Sequence, residues 1–157
     1  MALAIIMVWY AGIGALAAAG SMYLSHRFVH AKHEATLYGL FLIAIAAFYL
    51  ACTSYFGDAA AWSLEGVAVL AFAVMGCLGT RVPVVLMAGY ALHGGWDLLH
   101  ELHAHLQVDV FGGRQATKIP LAYGAFCAAF DWVIAAYFFY RRRQWRAAWK
   151  SSPADLP

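Results

Sequence analysis

The stretch LAIIMVWYAGIGALAAAGSMYL, Leu3 to Leu24, contains no charged side chain. A helix of about 20 largely apolar residues crosses the roughly 30 Å of hydrocarbon in a bilayer, so this segment predicts a transmembrane span. No Lys or Arg precedes it, which separates it from a secretory signal despite the alanine-rich text near Ala17 to Gly20. It is therefore expected to be retained. Four further stretches follow on its carboxyl side: Ala35 to Phe56, Ala60 to Gly79, Val82 to His103 and Ile119 to Tyr140. Asp58, the run Gly79-Thr80-Arg81-Val82-Pro83, and Leu106 to Lys118 supply the breaks between them. The apolar runs are continuous rather than alternating, which argues against membrane strands. The expected fold is an all-α integral membrane bundle of about five transmembrane helices, one domain over residues 1–150 with a flexible tail at 151–157.

Composition agrees. The 157 residues are 64% hydrophobic and 11% charged, against about half and a quarter in soluble domains. That is too little polar surface to face water and ample to face lipid. Cys52, Cys77 and Cys127 lie in apolar text without a Cys-x-x-Cys pair, so no disulfide framework is expected.

Lys and Arg accumulate on the cytoplasmic side of spans. With the amino terminus outside and the carboxyl terminus cytoplasmic, the inner side holds Arg27, Lys32, Arg81, Arg141, Arg142, Arg143, Arg146 and Lys150. Only Arg114 and Lys118 then remain outside. The expected location is a bacterial inner membrane. Trp145 and Trp149 beside the arginines are expected to be interfacial anchors at anionic head groups, and no nucleic-acid role is expected of that tail.

Ionisable groups inside a bilayer are costly unless paired or hydrated, and this chain has several. The fourth span reads His93-Gly94-Gly95-Trp96-Asp97-Leu98-Leu99-His100-Glu101. At about 100° per residue, His93, Asp97 and His100 fall within a sector of roughly 60°, and Asp97 and His100 have the i, i+3 spacing of carboxylate and histidine ligands in helical bundles. The fifth span stacks Tyr123, Cys127 and Asp131 on one stripe, and the third adds Glu65. Counting back from the inner ends at about 1.5 Å per residue puts His93 and Asp131 near 15 Å, with Asp97, Glu65 and Cys127 near 20 Å. A shared polar pocket is expected. The competing explanation is that these groups serve only as helix-to-helix glue. A second group, His26, His30, His33 and Glu34, repeats the offsets of His93, Asp97, His100 and Glu101. It is a candidate second metal cluster, or else a solvated basic connector.

The run from His93 to His100, with Pro120, Tyr123, Cys127 and Asp131 downstream, resembles a family of small bacterial membrane proteins of uncharacterised function. The resemblance implies a polytopic membrane fold and no particular activity. More distantly, His26-x-x-x-His30 and His100-x-x-His103-x-His105 look similar to the histidine boxes of membrane di-iron desaturases and hydroxylases, although this chain lacks their His-His pairs.

Mixed imidazole and carboxylate donors suit zinc or non-haem iron better than magnesium or calcium. The leading expectation is a metal-dependent membrane enzyme acting on a lipid or other apolar small molecule. His93, Asp97 and His100 would be ligands, Asp131, Glu65 and Cys127 catalytic candidates, and Trp96 and Tyr123 the apolar wall of the pocket. Alternatives are transition-metal or proton transport through the same residues, where a homo-oligomer would matter more, and haem ligation for electron transfer.

Overall fold

A computed structural model describes residues 1–150, apart from the side chains of Lys32, Ala148, Trp149 and Lys150. The expected tail, 151–157, lies outside the described residues. Five helices follow one another: α1 (Ala2–Phe28), α2 (Ala31–Phe56), α3 (Trp62–Gly79), α4 (Pro83–Leu106) and α5 (Tyr123–Lys150). A short 3-10 turn, Ala59–Ala61, precedes α3. No strand occurs among the described residues. Two ends result. The basic end holds the α1–α2 and α3–α4 turns and the carboxyl end of α5; the opposite end holds the α2–α3 turn and the long α4–α5 connection.

Helices α1, α2, α3 and α5 are long and apolar enough to cross a membrane. Their outward side chains, such as Val8, Trp9, Leu16, Val67 and Leu70, are largely exposed, as a lipid-facing surface requires. Helix α4 is of similar length but carries His93, Asp97, His100 and Glu101, all buried. It packs between α3 and α5, while α5 also packs on α1 and α2 on α3. Its polar face is thus turned inward. Small residues permit the close α4–α5 approach: a Cβ on Gly124 would lie 2.3 Å from the Asp97 carbonyl oxygen, and one on Gly94 2.8 Å from Trp132 Nε1. Gly95 by contrast faces open space, so packing accounts for only the first glycine of the pair.

Both ends of α5 differ from the sequence expectation. Helix α5 begins at Tyr123 rather than Ile119, because Pro120 supplies no N–H and Ala122 adopts a left-handed φ of 60°. The buried Glu101 carboxylate then accepts the Ala122 and Gly124 N–H groups at 3.0 and 2.9 Å, capping the new helix with a favourable negative charge. At its other end α5 runs past Tyr140 to Lys150. Its arginines and alanines are strong helix formers.

The reason for that extension is a clasp at the basic end. Glu34, fully buried, accepts hydrogen bonds from Ser25 Oγ at 2.9 Å, Trp145 Nε1 at 2.9 Å, the Tyr137 hydroxyl and the Arg141 guanidinium. It ties α1, α2 and α5 together. Trp145, expected at the interface, is instead fully buried against Phe138 with ring centroids 4.3 Å apart. An indole N–H with a carboxylate to bond gains more from burial than from head groups.

The α4–α5 connection folds back over the opposite end. Gln107, at φ 55°, ends α4. Asp109 accepts the Gly113 N–H in a tight turn, and Phe111 lies on His100, Trp96 and His103 with centroid distances of 4.9, 5.3 and 5.3 Å. Its return arm is pinned by two acids: Glu65 accepts the Thr117 N–H at 2.9 Å and Asp58 the Lys118 N–H at 3.0 Å.

Candidate metal centre

His93 comes from the middle of α4, Asp97 from one turn further along the same face, and Asp131 from α5, held close by the Gly94 and Gly124 contacts. His93 Nδ1 lies 2.7 Å from Asp131 Oδ2 and 3.2 Å from Asp97 Oδ2. All three residues are essentially inaccessible to solvent. Tyr49 of α2 donates its hydroxyl to Asp97 Oδ1 at 2.6 Å, and Phe72 of α3 meets the His93 ring edge-on at 4.7 Å. Four helices therefore build the site.

The donors do not suffice for the acceptors. One imidazole nitrogen carries at most one hydrogen, and Nδ1 faces two carboxylates. Asp97 Oδ2, Asp131 Oδ1 and His93 Nε2 are all buried without a hydrogen-bond partner, and such groups cost about 1–3 kcal/mol each, more where charged. A divalent cation held at His93 Nδ1 fits the two carboxylates, while Nε2, on the other side of the ring, is not served by it. Neutral imidazole and two carboxylates together cancel a charge of +2. Metal bonds of 2.0–2.2 Å imply neighbouring tetrahedral ligands about 3.3 Å apart, close to the 3.2 Å of His93 and Asp97 and a small opening from the 2.7 Å of His93 and Asp131. Among the described residues no other group of three or more His, Cys, Asp or Glu gathers its ligand atoms within such reach.

The other candidates divide. His100 does not join His93 and Asp97: its Nε2 pairs with Glu65 Oε1 at 2.9 Å and its Nδ1 faces the Trp96 carbonyl oxygen at 3.1 Å. Seven residues along α4 separate it from His93, a rise of about 10.5 Å, too far for one ion. Tyr49 lies between the two groups, its ring 4.5 Å from His100 and 6.0 Å from His93. Glu65, buried with His100 and the Thr117 N–H, is thus part of a second polar pair. Cys127 lines a cleft of about 220 Å³ with Asp131, Phe41, Ile45, Phe126 and Phe130, between α2 and α5. Trp96 and Tyr123 are not in its wall: Trp96 stacks on His100 at 5.0 Å, and Tyr123 on Phe48 at 5.2 Å. All three cysteines are free.

The proposed second cluster is not gathered. His26, His30 and His33 are exposed, whereas Glu34 is buried with both oxygens occupied by the clasp. The histidines that resembled hydroxylase boxes lie at opposite ends of the bundle, His26 and His30 at the end of α1 and His100, His103 and His105 at the end of α4. Tyr49 and Phe72 were missed by sequence reasoning, since aromatic residues in apolar spans give no signal of what they face. No curated protein and no solved structure matches the chain. One family does, over residues 10–144, in agreement with the resemblance to membrane proteins of uncharacterised function: the chain belongs to DUF6010, a family of unknown function.

Proposed function

We propose that the chain is a multi-pass enzyme of the bacterial inner membrane, amino terminus outside, that holds zinc or iron at His93, Asp97 and Asp131 and acts on a lipid or other apolar substrate arriving sideways from the bilayer. One observation carries this reading: Asp131, a member of the buried triad, also lines an apolar cleft between α2 and α5. Bound there, a divalent ion supplies Lewis-acid polarisation or an acidified water. Tyr49 orients Asp97 through its hydroxyl. Phe41, Ile45, Phe126 and Phe130 give the cleft apolar walls that exclude water and accept hydrocarbon. Cys127, one turn from Asp131 on the same wall, is placed to touch what enters.

Two observations favour an enzyme over a transporter or haem protein. Toward the basic end, Leu42, Leu86, Ile134 and Phe138 are fully buried and pack with the Tyr38 and Tyr90 rings into one cluster, which offers a metal ion no carboxylate or imidazole between the triad and Glu34, whose own oxygens are both bonded. The two buried histidines sit on one helix and each faces a carboxylate, a setting for a free cation rather than for axial haem ligands.

The test is metal analysis of detergent-purified protein with an absorption spectrum. Wild type and His100→Ala should each carry about one zinc or iron per chain with no Soret band, and Asp97→Asn and Asp131→Asn should lose it. A folded wild type that takes up neither metal on reconstitution refutes the proposal.

A further inference from the structure

The cleft at Asp131 does not stand alone. A groove of about 690 Å³ runs between α1 and α2, its floor formed by Gly20, Ser21, Leu24 and Leu37 and its upper part by Phe41 and Phe130, the same two rings that wall the cleft at the triad. It follows α1 from Ala17 to Val29, the basic end. That run spans about 18 Å along the helix axis, close to the roughly 15 Å that one leaflet contributes to about 30 Å of hydrocarbon. Exposed Arg27, Arg143 and Arg146 stand at the same end.

We propose that this groove binds one chain of an anionic phospholipid, with the head group at the arginines and the distal part of the chain beside Asp131 and Cys127. Three features agree on that occupant. The groove is apolar along one leaflet's depth, its mouth is at the cationic end, and its far end is bounded by Phe41 and Phe130, which also wall the cleft at the candidate centre. An acyl chain satisfies the first, a phosphate the second, and only a molecule joining the two satisfies both. The depth also decides which part of the lipid the triad would meet. Asp131 is ten residues, about 15 Å, from Arg141, so an upright lipid presents its hydrocarbon and not its ester groups. The inference deepens the metal-enzyme reading, on which its functional meaning rests, while the binding itself is independent of metal.

Gly20 gives a clean probe, since it lines the groove and a Cβ there meets nothing within 4 Å. Leu at that position fills the groove without pressing on a neighbouring helix. Gly12, equally open but in a separate groove with Trp9 and Leu16, serves as control. Native mass spectrometry of the purified chain titrated with phosphatidylglycerol or phosphatidylcholine should show one phosphatidylglycerol bound about tenfold more tightly than phosphatidylcholine. Gly20→Leu should weaken that binding about tenfold, and Gly12→Leu should leave it unchanged, with zinc content the same in all three. Equal phosphatidylglycerol retention in wild type and Gly20→Leu, or no preference over phosphatidylcholine, overturns the proposal. Selective lipid binding by a wild type that holds no metal supports the groove and refutes the metal centre alone.

Discussion

Replacing Tyr49 by Phe deletes one oxygen atom and keeps the ring that packs between His93 and His100. The lost hydroxyl donates to Asp97 Oδ1 at 2.6 Å, the short distance of a charge-assisted bond. Such bonds contribute about 1.5–3 kcal/mol, and they are stronger to a carboxylate anion than to a neutral acid. A metal ion requires Asp97 as the anion, so the deletion weakens the metal-bound state more than the free one. If most of that difference is expressed, affinity falls by about ten- to a hundredfold, the range found when partners of metal ligands are removed. The assay is zinc competition against a chromophoric chelator in detergent, with helicity checked by circular dichroism. Tyr90→Phe is the control, because its hydroxyl donates to the Tyr38 carbonyl oxygen at 2.8 Å, outside the triad. A folded Tyr49→Phe with wild-type zinc affinity refutes the assignment of Asp97 as a ligand.

Gly124→Ala forces α4 and α5 apart where Asp97 and Asp131 must converge; overpacking of this kind costs about 1–3 kcal/mol and should lower both Tm and bound zinc. Gly95→Ala, on the open side of α4, should stay within about 0.5 kcal/mol of wild type, and equal damage from both would show that the close approach is unimportant. Glu34→Ala should cost about 3–5 kcal/mol, since it leaves the Arg141 guanidinium without its carboxylate. Zinc per folded chain should not change, and a parallel loss of metal in thermal and elemental measurements would contradict the separation of clasp and centre.

Much of the fold was legible because the bilayer imposes a length on apolar segments, and the helix limits agree with the expected spans to within about four residues except at the carboxyl end of α5, which runs ten residues further. Orientation of side chains around each helix was legible only along α4, where four buried polar groups mark the inward face. Depth counting brought Asp131 to the level of His93, and the structure joins them. It also brought Glu65 to the level of Asp97, yet Glu65 bonds His100, because a depth says nothing about which way α3 is rotated. Angular agreement along α4 misled in the same manner: His93 and His100 share a sector while lying almost two turns apart. The donors that decide each acid's role were invisible for a different reason. Those on Glu65 and Glu101 include main-chain N–H groups of the α4–α5 connection, and three of the four on Glu34 are aromatic and basic groups more than a hundred residues away.

Those donors also separate helix-to-helix glue from a working site. Glu34 has four, Glu101 receives two main-chain N–H groups, and Asp58 and Glu65 each hold the returning arm of a loop. Each is a carboxylate engaged by main-chain or side-chain donors, with Glu65 Oε2 alone among their oxygens buried without a partner, and each joins elements that would otherwise part. Asp97 and Asp131 are different. Equally buried, they share one tyrosine hydroxyl and one imidazole N–H, and Asp97 Oδ2 and Asp131 Oδ1 have no hydrogen-bond partner. A pair of buried carboxylates left short of donors destabilises a fold and is a poor fastening. A positive ion at the proposed centre would relieve the shortage, and the shortage occurs at a level where the bundle opens between α2 and α5 to an apolar cleft.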